Sequence, residues 1–397
     1  MTRASSGRGT VALLAAAQAL TLSAGVLAMT LAAIVGSGLA ADKALATLPI
    51  ALTVVGTALA TVPASFFMRR FGRRAGFVLG AAIGVAGGLV SAGAIVQGSF
   101  AAFCAGHFLV GVFQGFGNYY RFAAAEAAGG DWQGRAISWV LAGGVVAAVA
   151  GPELAGRLRD LWPLHAFAGS YLAQAGLALL AGFALAGVRI ARPAREASAA
   201  AVRPLRAIAR QSAFVVAVTG ATVGYAVMIA AMTATPLAML GCGLPVSDAV
   251  VVIQWHVLAM FLPSFFTGSL VERLGAERVL AMGLGLLLAH VAIAASGLEF
   301  LHFLSALVFL GLGWNFAFVA GTTLLAVSCP PADRARAQAL NEALVFGSVA
   351  IASLSAGWVL ARWDWRTLNL TMLPLLLAAA IPTLRALRGK RAPALRA

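Results

Sequence analysis

The sequence predicts an all-α integral membrane protein, with about twelve transmembrane helices in two pseudo-symmetric six-helix bundles. Three observations carry that prediction. Of 397 residues, 61% are hydrophobic and only 10% are charged, against about 25% charged in a soluble domain. The apolar runs reach the ~20 residues that a helix needs to cross a hydrocarbon core, and they lack the alternation of a membrane barrel. A short basic turn, Ser65-Phe-Phe-Met-Arg-Arg-Phe-Gly-Arg-Arg74, returns in weaker form about two hundred residues later as Gly268-Ser-Leu-Val-Glu-Arg-Leu-Gly-Ala-Glu-Arg278.

The first bundle occupies 1–188, with spans at 11–38, 45–68, 75–96, 99–127, 136–156 and 167–188. Its first run follows Arg3 and Arg8 and is too long for the apolar core of a signal peptide, so it reads as a span. Residues 189–211, rich in Arg, Ala, Pro and Ser, read as a basic cytoplasmic linker able to lie along anionic headgroups. The second bundle occupies 212–397, with spans at 212–240, 247–271, 279–297, 300–328, 337–361 and 367–387. Cys104, Cys242 and Cys329 are far apart, show no metal spacing, and read as small apolar core residues.

The net charge is +15, and the placement of the basic residues fixes the orientation. Placing the N-terminus inside puts Arg69, Arg70, Arg73, Arg74, the linker arginines, Arg273, Arg278 and the basic tail on one side. Lys43, Arg157, Arg159, Arg362 and Arg366 remain on the other. That asymmetry is the positive-inside pattern of a bacterial inner-membrane protein with both termini cytoplasmic. The charge therefore does not imply nucleic acid, for which the chain has no basic groove lined with stacking aromatics.

The halves match at three places in the same order. These are the two basic turns, Phe113-Gln-Gly-Phe-Gly-Asn118 with Phe309-Leu-Gly-Leu-Gly-Trp314, and Arg135-Ala136 with Arg336-Ala337. Paired bundles of this kind are how many secondary transporters are built, with the substrate near the midplane.

On these residues the chain resembles the major facilitator superfamily over nearly its whole length. The family's loop pattern G-x-L-x-D-R-x-G-R-R fits Gly268, Leu270, Glu272, Arg273 and Gly275. The first copy keeps Arg70, Gly72, Arg73 and Arg74 but has Ser65 for the glycine and Arg69 for the acid. The resemblance implies a cytoplasmic gate at these positions, with Glu342 as a partner for the arginines; the plain alternative is that the arginines only set topology. The fourth-span pattern R-x-x-Q-G-x-G matches at Gln114, Gly115 and Gly117, while Gly111 stands where the family has the arginine tied to proton coupling. The exporters' fifth-span pattern matches at Gly151, Pro152 and Gly156, and predicts a helix kink at Gly151-Pro152.

Polar groups inside spans are costly, so they mark candidate sites. His107, Gly111, Gln114, Asn118 and Arg121 share one helical stripe, which the resemblance aims at a central cavity. Each has a plain alternative. His107, Gln114 and Asn118 can hydrogen-bond between helices, and Arg121 can snorkel. Glu126 lies on another face from Arg121 and reads as interfacial. Gln254, Trp255, His256, Trp314, Asn315 and Tyr225 add amide and aromatic surface that suits a planar or cationic solute, or core packing. Glu153 and His256 are the candidate proton carriers, and Glu153 can instead pair with Arg157.

No Walker loop, nucleophile-base set or metal-ligand cluster is visible, so neither an enzyme nor a cofactor is expected. The expectation is a monomeric secondary transporter moving a small organic solute by alternating access, proton-coupled by resemblance, with export favoured. The alternatives are an uptake carrier for a metabolite or vitamin-like nutrient, and a non-transporting sensor on the same scaffold.

Overall fold

The computed structural model describes residues 3–128, 136, 139–190, 206, 209–328 and 331–391. Helices and short connections make up all of them, with no strand among the described residues. Two compact units emerge, Met1–Arg195 and Glu196–Ala397. The expected linker falls largely outside the described residues.

Unit 1 contains α1 (Arg3–Leu39), α2 (Leu48–Phe71), α3 (Arg73–Gln97), α4 (Phe100–Gly117), α5 (Tyr120–Ala128), α6 (Gly143–Arg157) and α7 (Ala168–Ala186). Unit 2 contains α8 (Ser212–Gly241), α9 (Val246–Phe261), α10 (Ser264–Leu274), α11 (Ala276–Ser296), α12 (Phe300–Ser328), α13 (Pro331–Arg362), α14 (Trp365–Leu370) and α15 (Leu373–Arg391). Among the described residues, eleven helices are long and apolar enough to cross a membrane, or twelve if α9 and α10 count as one span bent by 42°.

The two units pack alike. In unit 1, α4 lies against α2 and α3, while α1 packs on α6 and α7. In unit 2, α12 lies against α9 and α11, while α8 packs on α13 and α15. The basic turns are the clearest common device. Gly72 has φ +92° and ψ 158° between α2 and α3, and Gly275 has φ +86° and ψ 146° between α10 and α11. A side chain is strained at such a φ, so glycine is the residue that ends one span and starts the next within a single position.

Three expectations change. The fourth span is not one helix over 99–127, because a turn at Asn118 and Tyr119 separates α4 from α5. The eighth span is not one helix over 247–271 but breaks at Leu262 and Pro263. Pro263 has no N–H to continue the ladder. Cys242 is exposed at the end of α8 and is not a core residue, whereas Cys104 is buried.

Candidate functional site

The stripe predicted on the fourth span divides into an inner and an outer part. His107 is fully buried. Its Nδ1 lies 3.0 Å from Thr53 Oγ1 on α2, and its Nε2 lies 2.9 Å from the Tyr171 hydroxyl on α7. Phe103 and Tyr171 meet each other and the imidazole edge-on. Hydroxyls donate or accept, so a neutral His107 is satisfied in either tautomer. Two turns along, Gln114 packs its amide beside Gly25 of α1, where an added Cβ would meet Nε2 at 2.6 Å. That Nε2 is buried and has no hydrogen-bond partner. Asn118 and Arg121 point out of the unit, and the Arg121 guanidinium lies 4.9 Å from the Phe122 ring.

Gly111 explains the missing arginine. A Cβ there would sit 2.0 Å from the Thr53 carbonyl oxygen. At Gly115 it would sit 2.8 Å from Ala60 Cβ. The contact between α2 and α4 is backbone on backbone, as small residues permit in membrane helix pairs. Thr57 Oγ1 closes the gap with a 3.0 Å bond to the Gly111 carbonyl. An arginine is sterically excluded.

Unit 2 holds an aromatic cluster that α8, α9 and α12 assemble. Trp314 stacks on Phe318 at 5.0 Å and 10°. Tyr225 meets Trp314 edge-on at 5.3 Å, and Phe261 approaches at 6.3 Å. Trp314 is 6% exposed, and its indole Nε1 is buried with no partner. Trp255, by contrast, is 53% exposed, because residues 254, 255 and 256 project about 100° apart around α9. Gln254 is half-buried. His256 alone turns fully inward, with Nδ1 2.8 Å from the Leu307 carbonyl. Asn315 braces the broken span. Its Nδ2 reaches the Met260 carbonyl and Ser264 Oγ, each at 2.7 Å, and its Oδ1 accepts from Thr267 at 2.7 Å.

At the end of unit 2 away from the basic turn, a cavity of about 500 Å³ is lined by Cys242, Leu298, Trp363, Asp364 and Arg366. Asp364 caps α14, and hydrogen bonding from the Thr367 backbone holds its carboxyl below the ordinary range.

The gate residues have local partners. Arg73 forms an ion pair with Glu126 on α5, with Nε 3.0 Å from Oε2. That partner was legible only as an interfacial acid. Arg69 lies 4.4 Å from the Phe66 ring and Arg70 5.5 Å from Phe71. Arg74, Gly268, Glu272 and Arg273 face outward. The Glu342 side chain lies outside the described residues. Glu153 pairs with Arg157 one turn on. α6 runs through Pro152 as one helix, and a Cβ on Gly151 would sit 2.8 Å from Val26 Cβ on α1.

Sequence reasoning missed Thr53, Tyr171, His290 and Asn369. His290 sits in an apolar run, fully buried, with Nδ1 2.9 Å from the Ala306 carbonyl. Nothing at helical spacing around it marks it, because its partners come from other helices.

The major facilitator superfamily model matches residues 12–289 and 249–396. The chain is 43% identical over 396 residues to the riboflavin transporter RfnT of Brucella anthropi, covering 99% of this chain and all of that one. It is 31% identical over 366 residues to the uncharacterized MFS-type transporter YdeG of Bacillus subtilis, covering 88% and 84%. In fold it is similar to the nucleoside transporter NupG, with TM-score 0.69 and 15% identity over 94% of this chain and 99% of that one. Two units of matching helix packing, matching glycine turns and this end-to-end similarity place the chain in the major facilitator superfamily, as a multi-pass membrane protein and a secondary transporter of that type.

Proposed function

We propose that this transporter takes up riboflavin, or a planar vitamin of the same chemistry, across the bacterial inner membrane. The observation that carries this reading is the 43% identity to a riboflavin transporter, without gaps in coverage at either end. The aromatic cluster supports it. A flat, fused ring system with carbonyl acceptors suits the Trp314–Phe318 stack, and the unpartnered Trp314 N–H is a donor for such an acceptor. The feature that had favoured export has a packing role, since Gly151 lets α6 approach Val26. Uptake is the direction we adopt.

The transporter works as a monomer by alternating access, with both termini cytoplasmic as the basic residues favour. Proton gradient drives it. Glu153 is a poor carrier, as its side chain is 41% exposed and paired with Arg157, so the buried histidines are the better candidates. The gate at Arg69, Arg70, Arg73, Arg74, Glu272 and Arg273 stays in this reading, with Arg73–Glu126 as its clamp within unit 1.

A riboflavin auxotroph expressing the chain tests the reading. Growth at limiting riboflavin is the expected result. Trp314→Phe keeps an aromatic ring but removes the N–H and the second fused ring, and raises the KM for uptake about 3- to 10-fold. Growth no better than the empty vector, with the protein present in the membrane, contradicts riboflavin uptake.

A further inference from the structure

We propose that His290, with Asn369 and His256, forms a single-proton binding site inside unit 2. All three side chains are fully buried. The two rings hang from neighbouring carbonyls of α12, His256 Nδ1 on Leu307 O at 2.8 Å and His290 Nδ1 on Ala306 O at 2.9 Å. A carbonyl only accepts, so each Nδ1 carries a hydrogen and each Nε2 of a neutral ring is a bare lone pair. Neither Nε2 has a partner.

The Asn369 amide is the side chain beside His290. Its Nδ2 is committed to the Trp365 carbonyl at 2.8 Å, which leaves Oδ1 as a buried acceptor with no donor. His290 therefore sits between two acceptors. A neutral ring satisfies one of them in either tautomer and sets a lone pair against the other. The imidazolium satisfies both, donating from Nδ1 to Ala306 O and from Nε2 to Asn369 Oδ1. Binding one proton on His290 Nε2 joins two of the three orphaned acceptors, His290 Nε2 and Asn369 Oδ1, and leaves only the His256 Nε2 over.

The surroundings limit the site to one charge. His290 acts electrostatically on His256, and two imidazolium rings that feel each other repel. The α12 helix contributes backbone carbonyls at this level. Of the charged and titratable groups on the packed elements, Arg385 and Arg388 are exposed on α15, and the others stand toward helix ends. Glu299 and His302 open α12, Asp364 and Arg366 flank the start of α14, and Glu277 and Arg278 begin α11. No carboxylate completes the site among the described hydrogen bonds, so its occupancy follows the proton alone.

Use of this proton to drive transport rests on the uptake reading above, but binding of the proton does not. The test is therefore in two parts on the full-length protein in nanodiscs and proteoliposomes. The chain has 5 histidines, so long-range proton–nitrogen spectra of histidine-labelled protein resolve every ring. As the pH falls from about 8.5 to 4.5, one buried ring should pass from a single N–H to two. That signal should vanish in His290→Gln. In Asn369→Asp, which places a carboxylate at Oδ1, the ring should stay doubly protonated to a pH about one unit or more higher.

A His290 ring that stays neutral throughout, its Nε2 accepting from a reoriented Asn369 amide, overturns the proposal. So does an unchanged titration in a folded Asn369→Asp protein. In proteoliposomes, His290→Gln should lose riboflavin uptake driven by a pH gradient and keep riboflavin exchange. A titrating His290 without riboflavin movement upholds the proton site and overturns the substrate reading; riboflavin movement with a silent His290 does the reverse.

Discussion

The two units use buried histidine in opposite ways. Nineteen residues before the glycine turn, unit 1 has Thr53 and unit 2 has His256; fifteen residues after it, unit 1 has Gly87 and unit 2 has His290. Eight residues before the matched glycines Gly115 and Gly311, unit 1 has His107 and unit 2 has Phe303. In unit 1 the histidine faces two hydroxyls, at 3.0 and 2.9 Å, which adapt to whatever the ring presents. In unit 2 the histidines face carbonyls, which do not adapt, and their Nε2 atoms are left bare. The same scaffold thus yields a neutral knot tying α2, α4 and α7 in one half and a proton-sensitive pair in the other. What separates them is the partner's chemistry, since burial is complete for all three rings.

The largest effect should come from giving unit 1 the residue that unit 2 carries at the matched position. Gly111→Leu copies Leu307 into a place where Cβ alone would lie 2.0 Å from the Thr53 carbonyl. It should abolish monodisperse protein in size-exclusion chromatography, an effect of about 4 kcal/mol or more. A yield equal to that of the natural chain would mean that α2 and α4 slide apart freely, which the backbone contact denies.

Next come the braces that both units place eleven residues before the turn. In unit 1 the Tyr119 hydroxyl donates to the Thr61 carbonyl at 2.8 Å; in unit 2, Asn315 holds Ser264, Met260 and Thr267. Asn315→Leu strands several polar atoms and should lower stability in thermal melting by about 2–4 kcal/mol, against about 1 kcal/mol for Tyr119→Phe. Matching losses would show that the bent span needs no extra brace.

His107→Phe copies Phe303 and removes the imidazole bonds of the Thr53 and Tyr171 hydroxyls, which keep backbone carbonyl acceptors at Pro49 and Ala28. Stability should fall by about 1–3 kcal/mol, with the pH profile of uptake unmoved. A shifted profile would transfer the titrating role to unit 1. Smallest of all is Arg73→Ala, which copies Ala276 and removes the pair with Glu126. As a partly exposed pair it should change the melting behaviour by only about 0–1 kcal/mol.

The class, the repeat and the glycine turns were readable because each rests on local rules: apolar length, charge punctuation and a backbone conformation that demands glycine. Gly72 and Gly275 needed no tertiary knowledge. Gly111 was visible as a departure from the family pattern, yet its reason lies in the Thr53 backbone, fifty-eight residues away in chain order. Trp255 and Trp314 read alike as aromatic residues in spans. Packing alone makes one 53% exposed and the other 6%. His256 drew notice through its polar neighbours in sequence, whereas His290, surrounded by apolar residues, did not. Its partner Ala306 and its neighbour Asn369 belong to helices that only the fold brings near.

The most direct test of the account is counterflow of labelled riboflavin into proteoliposomes preloaded with unlabelled riboflavin, with no ion gradient. Transport of riboflavin by this chain should give transient accumulation of label above equilibrium, competed by riboflavin and slowed in Trp314→Phe. Folded protein that binds riboflavin and yet gives no accumulation above protein-free vesicles would contradict transport of this vitamin by this chain.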